Sequence, residues 1–247
     1  MTEERKALID AMAVAKSDAS GLFDRVVNAI LALAWEYRDT DFRWEDHPDL
    51  DEKVNELLRG LSDGLANAAR ERARELLTLL GLEELEEESI EYAEREIDGE
   101  NAIFRLDMQA SHLKELLAGW LVVSATAGLS VMQTRMLIHS YMNAPSASAE
   151  WRGAGLAKPG WGSGYAINVL NGMAVIMQDI VNASYQYAKQ GEFRRDGAVG
   201  YRIERGSDYD CPLCDSYVGP VYPVGEMILP IHPRCVCIPV PVYENEQ

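Results

Sequence analysis

No cysteine precedes Cys211 in this chain of 247 residues. A disulfide scaffold would spread its cysteines through a short secreted domain, so that class is excluded for the body of the chain. Positive charge is also scarce. Lys and Arg number 23 against 40 Asp and Glu, for a formal net charge of −17 and a pI near 4.6. Such a chain repels the phosphates of nucleic acids and acidic lipid head groups, so general nucleic-acid binding is not expected. Arg194, Arg195, Arg202, Arg205 and Arg234 are the candidates for a local basic patch near the C-terminus, and they read as solvated or thiolate-facing side chains. The opening Met-Thr-Glu-Glu-Arg-Lys leads into no apolar core, so no secretory signal is expected. Long apolar runs are missing as well. Leu116–Met132 carries no charge, but it is close to the lower limit for a bilayer span, and Ser124, Ala125, Thr126, Ala127, Gly128 and Ser130 dilute it. It reads as a buried core helix, and no stable membrane span is expected.

What is present is the composition of an ordinary folded protein, 47% hydrophobic and 26% charged. The length suffices for one sizeable core, or one large domain with a small one. Leu22, Val26, Ile30 and Leu33 recur at helical spacing, as do Val54, Leu57, Leu61, Leu65, Ala68, Leu76 and Leu79. His47-Pro48-Asp49 breaks the chain, with Asp49 or Asp51 as the expected cap of the following helix and Gly81 as its stop. The acidic stretch 82–98 has a weak apolar face of Leu82, Leu85, Ile90, Ala93 and Ile97. It reads as a solvated helix, with an acid patch for a basic partner as the alternative. Gly128-Leu129-Ser130 reads as a helix break followed by a serine cap, and His112 and His139 read as surface or hydrogen-bonded histidines. Residues 143–165 have loop composition, with Trp151, Trp161 and Tyr165 as possible docking anchors. Helix returns over 166–190, with Ile167, Leu170, Ala174, Met177, Ile180 and Val181 on one side and Gly191 as its end. Val199–Glu204 alternates like a strand, and Val236–Val242 reads as an edge strand or extended tail because Pro239 and Pro241 interrupt it.

The expected fold is therefore mainly α. A helical, bundle-like domain covers 1–195, with a possible sub-boundary near 99–104 and a flexible loop at 143–165. A small α+β or β-hairpin domain covers 196–247.

The chemistry is concentrated at the end of the chain. Cys211-Pro212-Leu213-Cys214 is a turn that aims two sulfurs at one ion. His232-Pro233-Arg234-Cys235-Val236-Cys237 supplies a second such turn. Zinc takes four sulfur or nitrogen ligands in a tetrahedron, and two turns of this kind provide them. The candidate metal ligands are Cys211, Cys214, His232, Cys235 and Cys237, one more than four places need. Cys211, Cys214 and Cys235 are common to the favoured sets, and the fourth is His232 or Cys237. A closed four-ligand site leaves no position for a reactive water, so the metal is expected to be structural. The proline-rich spacer holds too few apolar residues to fold alone, and metal binding can supply the missing stability. Arg234 is a candidate to offset the thiolate charge. Catalytic motifs are lacking: the proline sits inside the cysteine pair, unlike the zinc deaminases, and there is no P-loop, His-Glu-x-x-His or Gly-x-Ser-x-Gly. No catalytic residue is assigned, and the chain is not expected to be an enzyme.

This C-terminal segment resembles the phage head morphogenesis family, the Mu F-like minor head proteins. The resemblance is carried by Arg205-Gly206-Ser207, Cys211-Pro212-Leu213-Cys214-Asp215, Gly219, Tyr222 and Pro230-Ile231-His232-Pro233-Arg234-Cys235-Val236-Cys237, roughly the last fifth of the chain. It implies a capsid-associated protein, found in the virion or the host cytoplasm. Portal and capsid proteins would be its partners, and its work would be head assembly or DNA delivery. Other readings of the same residues are a zinc-stabilised protein-interaction adaptor and a prophage-encoded effector or toxin that uses the apolar 116–138 region on membranes.

Overall fold

The computed structural model describes residues 2–95, 101–143, 169–206, 211–232 and 234–244. The fold is mainly helical, with a small C-terminal antiparallel sheet. The helices are α1 (Glu3–Ala34), α2 (Pro48–Leu79), α3 (Glu86–Glu94), α4 (Ala102–Thr126), α5 (Val131–Asn143), α6 (Val169–Arg195) and the single-turn α7 (Pro212–Asp215). The strands are β1 (Gly200–Glu204), β2 (Tyr222–Pro223) and β3 (Ile238–Val242). The chain divides into two compact units. One comprises Met1–Asp18, Ala66–Ala102 and Val175–Gln247, and the other Ala19–Leu65 and Ile103–Ala174. Trp151, Trp161 and Tyr165 of the expected loop, with Ile97 and Ile167, lie outside the described residues.

In the second unit, α4 buries Leu106, Ala110, Leu113, Leu117, Trp120 and Ser124. Their spacing of three and four residues makes one face of a helix. Within the uncharged stretch Leu116, Leu117, Trp120, Leu121 and Ser124 are core while Thr126–Gly128 and Met132 are exposed, and no helix among the described residues is long and apolar enough to cross a membrane. Gly128 takes φ 63°, and Ser130 then opens α5. The Ser130 N–H donates to Gln133 Oε1 at 2.8 Å, and the Gln133 N–H to Ser130 Oγ at 3.3 Å. That reciprocal pair satisfies two of the helix's orphan donors. Pro48 stands at the first position of α2, and the Asp51 N–H reaches His47 O at 2.9 Å. Asp51 does not cap the helix: its carboxylate pairs with Lys114 Nζ at 2.5 Å and accepts from Asn55 at 3.2 Å.

In the first unit, α2 ends as expected at Gly81, with φ 72° and the Leu82 N–H returning to Leu77 O at 2.8 Å. The acidic run is a solvated helix with a buried apolar face: Glu83, Glu84, Glu87, Glu88 and Glu91 are exposed. Leu82, Ser89, Ile90 and Ala93 are buried. Its carboxylates meet arginines: Arg70–Glu94 at 2.5 Å, Arg74–Glu86 at 2.8 Å and Arg195–Glu84 at 2.8 Å. Tyr187 Oη donates to Glu88 at 2.5 Å, and its ring stacks on Tyr92 at 4.5 Å.

Three helix expectations need correction. In α1 the buried face runs through Phe23, Val27, Ile30 and Leu31, while Leu33 is exposed, so the stripe is turned by about one residue. In α2, Leu58 and Ala69 are buried where Leu57 and Ala68 were expected to be, and Leu79 is 71% exposed. Gly191 does not end α6. It lies within the helix where a Cβ would meet the Leu85 side chain at 2.7 Å, so its smallness serves packing. The stop is Gly197, φ 75°, with the Ala198 N–H bonded to Phe193 O at 3.0 Å.

The sheet order is β2-β1-β3, all antiparallel, with Tyr201 opposite Pro241 and Ile203 opposite Pro239. Pro239 and Pro241 thus sit on an edge strand, where a missing N–H donor is tolerated. Beneath the sheet Phe193, Tyr201, Ile203, Leu229 and the sulfurs of Cys214, Cys235 and Cys237 form a local core. The C-terminal segment therefore has more apolar support than its proline content suggests, part of it from Phe193 at the end of α6.

Candidate metal centre

The first turn is built by local geometry. Pro212 presets the backbone at the first position of α7, and the Asp215 N–H closes the turn onto Cys211 O at 3.0 Å. The Tyr217 N–H follows onto Cys214 O at 3.0 Å. Cys211 and Cys214, three residues apart on one helical turn, therefore present their sulfurs to the same side. The second turn is closed by the Cys235 N–H on His232 O, also at 3.0 Å. Arg234, between them, adopts φ 62°. A non-glycine residue there costs on the order of 1–2 kcal/mol. Ser207 and Pro233 lie outside the described residues.

These two turns converge. His232 Nε2 lies 3.0 Å from Cys214 Sγ and 3.4 Å from Cys211 Sγ. Cys211, Cys214 and His232 form one cluster, and Cys214, Cys235 and Cys237 form another. Within each, the ligand atoms lie inside 4.8 Å of one another. A tetrahedral zinc with bonds of about 2.3 Å to sulfur and about 2.0 Å to nitrogen separates its sulfur and nitrogen ligands by about 3.5 Å. The observed spacing is close to that. Cys214, shared by both clusters, is the pivot of the arrangement. The five expected ligands fall into these two triads, joined through Cys214, and none of the four cysteines is in a disulfide. His112 and His139 belong to neither cluster.

The electrostatics of the thiols follow from who donates to whom. The Cys211 sulfur accepts from the Cys214 N–H and from its thiol, with His232 adding to both, and its pKa falls below the ordinary thiol value. Burial pushes the Cys214 thiol up to about 12, reinforced by the neighbouring sulfurs of Cys211 and Cys237. Cys237 is held down to about 6, first by the Cys235 thiol that donates to it, then by the Gly206 N–H, Cys214 and the nearby Arg205. Cys235, the donor in that pair and itself buried, is pushed upward. Each pair thus places a sulfur inclined to ionise beside one inclined to keep its proton, so a metal binding here displaces protons.

One contributor was not foreseen from the residues alone, and a second was among the arginines expected to face the thiolates. Gly206 follows β1 so closely against the second turn that a Cβ would overlap Val236 O, and its N–H points at Cys237. The cation beside Cys237 is Arg205, which also pairs with Asp215. Arg234, the expected counter-charge, sends its Nε to Gln178 Oε1 at 3.2 Å. The signal for Gly206 was its place beside Arg205 in the motif. Nothing in the motif's spacing announced Gln178.

No family model, curated protein or solved structure matches this chain. The chemistry of the centre therefore rests on its geometry: a cluster of sulfur donors and one imidazole, at the end of a helical chain, able to hold a metal ion.

Proposed function

We propose that this chain is a minor head protein of a tailed phage or prophage, with a C-terminal segment locked by a structural zinc ion. The observation that carries the proposal is the convergence on Cys214 of the two short motifs on which the resemblance rests. Sulfur and imidazole donors in a tight cluster suit zinc over calcium or magnesium, which prefer oxygen. Four of the five donors close the coordination sphere, and the metal then fixes the fold of the segment and performs no chemistry on a substrate. In this reading the protein is not an enzyme. It contacts portal and capsid proteins during head assembly or DNA delivery, and it resides in the virion or the host cytoplasm. The −17 charge fits a role through protein contacts, because such a surface does not hold duplex DNA by itself.

The test is its presence in particles. Heads purified from the parent phage or induced prophage should contain the chain by mass spectrometry, and particles made with Cys214→Ser should contain less of it. Heads that lack the chain, together with normal particle yield when its gene is deleted, would reject the assignment.

A further inference from the structure

One face of α6 carries a row of primary amides, Gln178, Asn182, Gln186 and Gln190, spaced four residues apart and all buried, with Asn182 at 0% and Gln186 at 1% exposure. Around them Met177, Ile180, Val181 and Tyr185 are buried, together with the polar Asp179 and Ser184. An amide buried in such surroundings is costly unless its polar atoms are bonded. Here each amide reaches into the C-terminal segment. Asn182 Nδ2 donates to Cys235 O at 2.6 Å, and Gln186 Nε2 donates to Cys237 O at 3.0 Å and to Asn182 Oδ1 at 3.0 Å. Gln178 Oε1 accepts from Arg234 Nε at 3.2 Å, while its own Nε2 donates to Met12 O at 3.0 Å. Gln190 Oε1 accepts from the Gly225 N–H at 3.0 Å. The amides therefore touch Arg234, Cys235 and Cys237 in succession, the three residues that shape the second ligand turn.

We infer that Asn182 and Gln186 are positioning residues for the metal centre: from α6 they hold the carbonyls of Cys235 and Cys237 and so fix the second turn in its ligating shape. This rests on the metal reading given above. The amides act by preorganisation. The turn contains a left-handed Arg234, a conformation the chain does not adopt by default. Bonds that hold the Cys235 and Cys237 carbonyls, just after Arg234, remove freedom the metal would otherwise have to freeze out. Partners that orient metal ligands in this way typically change affinity by about 10–100-fold when removed.

The test compares Asn182→Leu and Gln186→Met with the full-length parent in a chelator competition for zinc, with cobalt substitution as a spectroscopic readout of the thiolate ligand field. Ser184→Ala is the control, because that buried hydroxyl bonds only to Ile180 O of its own helix, at 2.8 Å. Each amide variant should weaken metal affinity by about tenfold or more and alter the cobalt spectrum, with the helical signal kept and Ser184→Ala unchanged. If an apolar variant fails to fold, Asn182→Ala and Gln186→Ala remove the amide donors without pressing a longer apolar group against the carbonyls, and should show the same loss. Parent-like affinity and spectra in the folded amide variants would overturn the inference, as would an equal loss in Ser184→Ala. A parent chain that holds no metal would instead overturn the metal reading itself, and this inference with it.

Discussion

Serine in place of Cys214 removes the one sulfur that both ligand clusters share. The substitution keeps the volume of a side chain that is only 3% exposed and leaves α7 its backbone bonds, so the loss is confined to the ligand. A structural zinc in a small domain contributes about 10–16 kcal/mol near neutral pH. One ligand in four then carries about 2.5–4 kcal/mol on an even division. At about 1.4 kcal/mol per tenfold step, Cys214→Ser should weaken metal binding by two to three orders of magnitude. Cys211→Ser and Cys235→Ser each disturb one cluster and should cost the same or less. The assay is a competitive titration against a chelator of known affinity, followed by cobalt absorption. Far-ultraviolet circular dichroism should show the helices intact, because α1, α2 and α4 bury apolar faces of their own. If Cys214→Ser binds within about threefold of the parent while Cys211→Ser does not, Cys214 is not the pivot and the geometry has been misread.

Gly206→Ala should lower thermal stability of the C-terminal segment and weaken metal binding together, since a Cβ meets Val236 O and displaces the N–H aimed at Cys237; an unchanged melting curve would show that the backbone there yields freely. Gly197→Ala should cost about 1 kcal/mol through its φ of 75° alone, because nothing lies within 4 Å of the added carbon, and Gly197→Asn should recover part of that in chemical denaturation. Metal affinity should rise with pH. The metal takes thiolates, so above about 6 Cys237 gives up no proton, whereas Cys214, pushed up to about 12, still must. Loading at pH 7 in weak buffer should release acid, and a pH-independent affinity between pH 6 and pH 8 would contradict this assignment of the thiols.

The parts of the structure that local chemistry decides were legible in the sequence. The pairing of Cys211 with Cys214 needs one helical turn, and the stop at Gly81 needs one left-handed residue. The break before Ser130 and the edge placement of Pro239 and Pro241 are local in the same way. What depends on distant partners was not legible. The buried side of α1 passes through Phe23 and Val27 because the rest of the chain packs there, and α1 carries apolar residues on more than one side. Gly191 read as a stop on propensity, yet it sits in mid-helix to admit Leu85. The acidic run is solvated as its charge implies, but its ion pairs with Arg70, Arg74 and Arg195 depend on residues distant in sequence. At the metal centre the five donors could be named from spacing. The amides of α6 look like ordinary polar positions until Cys235 O and Cys237 O are known to lie above them.

The central claim is that four of the five donors Cys211, Cys214, His232, Cys235 and Cys237 hold one metal ion, which the segment needs to keep its shape. Native mass spectrometry with elemental analysis, on full-length protein purified without added metal or chelator, tests it most directly. The account predicts one zinc per chain, lost with Cys214→Ser. A metal-free chain with its cysteines quantitatively paired in disulfides would contradict it.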